Sequence, residues 1–218
     1  MNALYDFGEI DRMVVSLVDN SLFGMSLTGS DSCQGWEVEL CVRTTQVAAM
    51  SPLFVMRHGA NSMESEVLSN IKDVVDMRYQ LLPYFYNLLH EHERKGYGVV
   101  RGLFEQFPED SLTDLVNNQF MVGADVMVVG VNKAAQPGDS FTSLDIYFPK
   151  NKNLDASIYP SQVDPWYNLY DMKLVNVPSN GYLTGFEVPM NQIPVFVRQN
   201  SDPFEANMKN HGVILQCV

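Results

Sequence analysis

The sequence predicts an α/β segment followed by an all-β module. Apolar residues recur at helical spacing through the first 95 positions, and after Gly98 the texture changes to short β-like runs separated by Gly, Pro and Asn clusters. No self-similar period marks a repeat protein. The chain has 218 residues, 46% hydrophobic and 18% charged, enough apolar mass to build a real core.

Taken in order, Ile10, Met13, Val14, Leu17 and Val18 predict a helix within residues 1–25, with Asp11 near its start, where the helix dipole favours acids. Residues 26–36, SLTGSDSCQGW, are small and polar and read as a loop. Val38, Cys41, Val42 and Ala49 mark a second helix over 37–50, ended by Pro52. A third helix runs from Glu66 to Lys95 on a stripe extending from Val67 to Leu89. Pro83 predicts a kink or division inside it, and Gly96 a stop. The β-like runs are GVVRGLF, QFMVGADVMVVGV, FTSLDIYFP, GYLTGFEV and IPVFVRQ. The composition shift near residues 120–135 puts a domain boundary at 125, dividing the chain into 1–125 and 126–218.

A net charge of -12 and a pI of about 4.6 argue against a nucleic-acid partner, because the field repels a phosphate backbone. No Lys/Arg run offers itself to an anionic membrane, and no apolar run has the length of a bilayer span. The stretch MNALYDFGEI carries acids where a signal peptide needs apolar residues, so the chain read by itself is expected to be cytosolic. Neutral ligands such as sugars stay compatible with the charge. Aromatic residues at 11% suit stacked β layers, their commoner use, and also sugar-binding surfaces.

Reactive constellations are sparse. His90 and His92 stand two apart on a helix and point to different faces, a poor metal pair. The sequence has no Gly-x-Ser-x-Gly elbow and no glycine-rich phosphate loop, so neither a metal nor a cofactor is expected. Cys33, Cys41 and Cys217 fit neither a disulfide scaffold nor a zinc site. Cys33 and Cys41 are close enough in sequence to pair across a loop or to remain two buried thiols.

Six stretches, in order and at matching spacing, carry a resemblance. They are SLFGMSLTGSDSCQG (21–35), ELCVRTTQVAAMSP (39–52), RYQLLPYFYNLL (78–89), VVRGLFEQFPED (99–110), QFMVGADVMVVGV (119–131), and a stretch running from IYFP through WYNLY to VPMNQIPVFVR (146–198). Together they resemble the end of the catalytic barrel and the proximal C-terminal sandwich of family 31 glycoside hydrolases, the α-glucosidase family. The resemblance implies a partial (β/α)8 barrel followed by an antiparallel β-sandwich. It also implies a parent activity of α-glucosidic bond hydrolysis with retention, and a secretory, lysosomal or extracellular setting.

The retaining mechanism needs two carboxyl groups roughly 5–5.5 Å apart. The family's nucleophile lies in a Trp-x-Asp-Met-Asn-Glu motif. The Asp-Met pairs here, Asp76-Met77 and Asp171-Met172, are not followed by Asn-Glu. Counting back from Leu22, the acid/base position falls at about Asn2, an amide that cannot exchange protons as a carboxyl does. The resemblance thus assigns no catalytic residue in this chain, which is expected to be inactive alone.

On the substrate side it assigns Asp31, on the loop beside the glucose subsite. His58 is a second candidate, one residue beyond the family's sugar-binding His position, which Arg57 occupies. The family's Arg-Trp pair is Arg43-Thr44 here, so the indole is lost. Cys33 and Cys41 match two family cysteines that commonly form a disulfide. A completed site would take an α-glucoside or another carbohydrate. A partial barrel leaves strand edges uncovered, so a protein partner or self-association through residues 1–60 is expected. The alternative role is a non-catalytic interaction subunit of a larger complex.

Overall fold

The structure is a computed structural model that describes residues 6–33, 37–56, 65–154, 157–159, 161–199 and 201. Three helices lead: α1 (Gly8–Leu22), α2 (Val38–Ala49) and α3 (Ser65–Lys95). β1 (Val100–Gly102) runs into the short α4 (Leu103–Gln106), and a 3-10 turn covers Ser111–Leu115. β2 (Gln119–Val122), β3 (Val126–Val129), β4 (Phe141–Tyr147), β5 (Trp166–Asn168), β6 (Tyr182–Pro189) and β7 (Val195–Arg198) follow.

The strands form two antiparallel sheets, one in the order β1-β2-β3-β7-β5 and the other a β4-β6 ribbon. Side chains alternate across a strand, so the larger sheet has two working faces. Phe120, Val122, Val126, Val128, Val195 and Val197 join the helices in one core. Their neighbours Met121, Met127, Val129 and Phe196 join Leu144, Ile146, Phe148, Trp166 and Val188 in a second. The result is three layers: helices, five-stranded sheet, ribbon. Burial on both faces explains why β2 and β3 read as unbroken apolar runs rather than alternating ones. Each large apolar side chain so buried contributes on the order of 1.5–3 kcal/mol.

Polar side chains sew the layers together. The Gln119 amide donates to the Tyr147 carbonyl at 2.7 Å and accepts from the Tyr147 N–H at 2.9 Å, joining β2 to β4 through a fully buried pair. The Tyr84 hydroxyl on α3 donates to the Val122 carbonyl at 2.9 Å. Gly123, which turns β2 into β3 at φ +63°, lies against Tyr84 and Leu88, and a Cβ there would strike both.

α3 is not divided at Pro83, although the sequence predicts a kink or break. The 31-residue helix buries Leu81, Tyr84, Phe85 and Leu88 around the proline, and that packing holds it through the missing N–H. GVVRGLF supplies only three strand residues, because the chain turns helical at Leu103, where the Glu105 carboxylate accepts from the Gly102 N–H at 2.6 Å. The sequence reading also places two or three parallel strands before residue 120. Among the described residues, β1 and β2 are antiparallel, and parallel pairing is confined to the isolated bridge Asp31–Val55. The boundary expected at residue 125 falls inside the β2–β3 hairpin, so one hydrogen-bonded sheet lies on both sides of it.

Candidate functional site

The loop that leaves α1 is where the candidate substrate residue sits. It lies along the segment that follows α2. The Leu53 N–H donates to the Thr28 carbonyl at 2.9 Å, Asp31 bridges Val55, and the Ser32 hydroxyl donates to the Val55 carbonyl at 3.0 Å. Gly29 permits this approach, because a Cβ at that position would overlap the Leu53 carbonyl. The Asn20 amide donates to the Thr28 hydroxyl at 3.2 Å and ties the same loop back to α1. Asp31 is half-buried here. Cys33 and Cys41 are joined by a disulfide with Cα atoms 4.0 Å apart, so the end of the loop is fixed to the first turn of α2.

The opposite segment is held by Arg78 from α3. Its guanidinium donates to the carbonyls of Ala49, Ser51 and Pro52 at 2.7, 2.5 and 2.9 Å. The same group stacks over the rings of Phe54 and Phe85, at 5.4 and 5.3 Å from the centroids. Burial lowers the Arg78 pKa from its ordinary value. His58, Arg57 and Asn2 lie outside the described residues.

The candidate loop is thus braced by four ties: a strand-like pairing, a disulfide, a hydrogen bond from the Asn20 amide of α1 and, on the segment it pairs with, the Arg78 clamp. Such bracing can hold one carboxylate steady for a ligand hydroxyl. Among the described residues, no group of three or more His, Cys, Asp or Glu side chains gathers to hold a metal ion.

Arg43 has a structural task that sequence reasoning missed. The residue is 1% exposed. Its Nη1 donates to the carbonyls of Pro189 and Gln192 at 3.1 and 2.8 Å and to Gln46 Oε1 at 3.1 Å. Its Nη2 donates to Thr142 Oγ1 at 3.2 Å. Glu39 lies 3.9 Å from its Nε, and desolvation lowers the guanidinium pKa to about 10. α2 is therefore pinned to both strands of the ribbon. The signal was available in the sequence, since a charged residue stands inside the apolar stripe of ELCVRTTQVAA and a lone buried cation needs partners.

A scan against protein-family models matches residues 6–88 to the glycosyl hydrolases family 31 TIM-barrel domain and residues 96–201 to the family 31 C-terminal domain. The chain is 31% identical over 199 residues to an alpha-glucosidase of Hordeum vulgare, covering 87% of this chain and 20% of that protein. It is 32% identical over 180 residues to the lysosomal alpha-glucosidase of Mus musculus, covering 78% of this chain and 17% of that one. A family 31 sulfoquinovosidase from E. rectale superimposes with a TM-score of 0.73 at 20% identity, over 95% of this chain and 31% of that structure. The chain spans about a fifth of the length of the curated relatives it matches. On this evidence the chain belongs to glycosyl hydrolase family 31, of which it carries part of the TIM barrel together with the C-terminal domain.

Proposed function

We propose that this chain is the barrel-end and sandwich portion of an α-glucosidase-type hydrolase, and that these 218 residues by themselves hydrolyse no α-glucoside. One observation carries the reading. The loop bearing Asp31 is braced from four directions, while the sequence has no counterpart of the nucleophile motif, and its residue at the acid/base position, Asn2, is an amide. In the complete reaction Asp31 accepts a hydrogen bond from a sugar hydroxyl, and His58 is the second candidate sugar contact. The disulfide suits an oxidising compartment, as does the resemblance to a lysosomal relative, and supports a secretory setting for this chain.

The alternative role, a non-catalytic interaction subunit, draws on a different observation. Phe23, Leu27, Leu53 and Val55 are 84%, 63%, 45% and 47% exposed on the edge that carries the candidate loop. An uncovered apolar edge of this kind marks an association surface. The deciding experiment assays the purified chain on maltose and on an aryl α-glucoside. No turnover above background is expected. Turnover abolished by Asp31→Asn would overturn the proposal, because it would show a working site built around that carboxylate.

A further inference from the structure

A crevice of about 230 Å3 opens where α1, the turn before β2 and the β4-β6 ribbon meet. Asp11, Asn117, Asn132, Asp145 and Tyr182 line it, and no residue of the 26–56 segment does. It is a separate place from the Asp31 loop.

The chemistry of the walls is specific. Tyr182 packs against Tyr147 with ring centroids 4.7 Å apart, and Tyr147 is itself fixed, its hydroxyl donating to Asp110 Oδ2 at 2.5 Å. Asp110 also accepts from the Lys150 N–H at 2.7 Å. This chain of contacts backs the half-exposed Tyr182 with a rigid, buried ring, so it presents a firm aromatic face. The polar groups are partly spent and partly free. Asn132 donates to Asp11 Oδ1 at 2.9 Å, and Asp145 Oδ1 accepts from the Gly185 N–H at 3.1 Å. Asp11 and Asp145 each keep a second carboxylate oxygen to offer, Asn132 keeps its Oδ1, and no hydrogen bond within the described residues engages the Asn117 amide.

An aromatic face beside amides and carboxylates, with no Lys or Arg in the lining, disfavours an anion and gives an apolar ligand nothing to match its polar rim. The volume is below the roughly 300–1,000 Å3 of pockets for drug-sized molecules, which limits the occupant to about one ring. A neutral polyol ring has the complementary surfaces: C–H bonds on one face for the tyrosine and vicinal hydroxyls for the paired acceptors and amides.

We propose that this crevice is a second carbohydrate site, taking one pyranose unit of a neutral saccharide at the junction of barrel and sandwich. It rests on the glycosidase reading for its choice of ligand class, but not on the Asp31 loop. Asn117 and Tyr182 are the residues on which binding depends most, the first by donating to and accepting from hydroxyls, the second by stacking.

The test titrates the 218-residue chain with maltose and follows amide chemical shifts. Saturable shifts at residues 115–119 and 182 are expected, unchanged in Asp31→Asn. Affinity should fall about tenfold in Tyr182→Ala, the loss of a little over 1 kcal/mol, and should survive in Tyr182→Phe, which keeps the ring. Asn117 is exposed, so Asn117→Ala keeps the fold and should weaken binding on its own. The absence of saturable shifts at these residues would overturn the proposal, as would binding lost in Asp31→Asn but kept in Asn117→Ala. Hydrolysis by the chain would break the proposed function and leave this result untouched.

Discussion

The α2–ribbon junction and the α1–loop edge begin from the same kind of material, apolar helices with a few embedded polar groups, yet they end differently. At the junction most polar groups are met inside the chain, although Arg43 Nε is buried with Glu39 no nearer than 3.9 Å. Arg43 finds carbonyls on both sides of the β6–β7 turn, Gln119 pairs with Tyr147 in both directions, and the surrounding apolar residues are sealed. At the edge the backbone of 28–32 pairs with 53–55, and Phe23, Leu27 and Val55 stay in solvent. The lesson is that a family motif can survive for two separate reasons. One set of residues closes the fold of this chain, and another set is left in solvent at its edge.

Removing the Arg43 side chain should give the largest effect and break the closed region outright. Arg43→Ala strips hydrogen bonds from several buried carbonyls and takes from Glu39 its nearby cation, leaving it the Ala135 N–H and the Thr142 hydroxyl, so a loss of about 3–5 kcal/mol is expected in urea unfolding. A loss under about 1 kcal/mol would show that the junction is held by apolar packing alone.

The disulfide belongs to the edge and should matter less. Cys41→Ser is expected to cost about 2–3 kcal/mol by freeing the loop in the unfolded chain. The comparison sharpens if nuclear magnetic resonance shows the resulting shifts confined to 26–56 while the ribbon stays unchanged.

Alkaline titration probes the closed region from another direction. Burial first of all raises the phenol pKa values of Tyr84 and Tyr147 well above 10.0, and that of Tyr170 to about 12. The native state therefore keeps protons that the unfolded chain has already lost. Their contribution is complete below pH 10.0 and declines as pH rises through 10.0 toward 12 and beyond. Tyrosinate absorbance should accordingly appear late and together with unfolding. Tyr84→Phe should cost about 1 kcal/mol at neutral pH and make the alkaline decline shallower. Early, independent ionisation of all three phenols would contradict their burial.

Phe23→Ser should do least to stability, within about 0.5 kcal/mol, since the ring is in water already. Its effect should be on solution mass. Light scattering at micromolar concentration is expected to show association or assembly with a partner chain for the parent sequence, and less of it for the variant. A monomer of 24.6 kDa with a cooperative melt in both would mean that the edge is tolerated bare.

Helical periodicity in the sequence located α1, α2 and α3 closely, because α1 and α3 each bury one stripe, while α2 is buried on all sides between its neighbours. The β runs were legible as well, though β5 was absent from them. Only three residues of WYNLY pair, and that pairing depends on β7, some thirty positions later. The disulfide partners were legible as a pair, while the left-handed backbone of Cys33 was not. Arg43 and Arg78 were visible as motif letters, but their work depends on carbonyls that only the folded chain brings together. The crevice at Tyr182 was invisible for the same reason: its walls come from five stretches that share no local pattern.

Gly29 has a consequence at the level of inheritance. Glycine codons tolerate any third base, but every change at the first or second position that still encodes an amino acid installs at least a β-carbon. At residue 29 that carbon would meet the Leu53 carbonyl head-on and push apart the two segments that carry Asp31 and Val55. Among natural variants of this chain, missense changes at codon 29 should therefore be rarer than at codon 8, where a β-carbon would meet only the movable end of the Asp6 side chain.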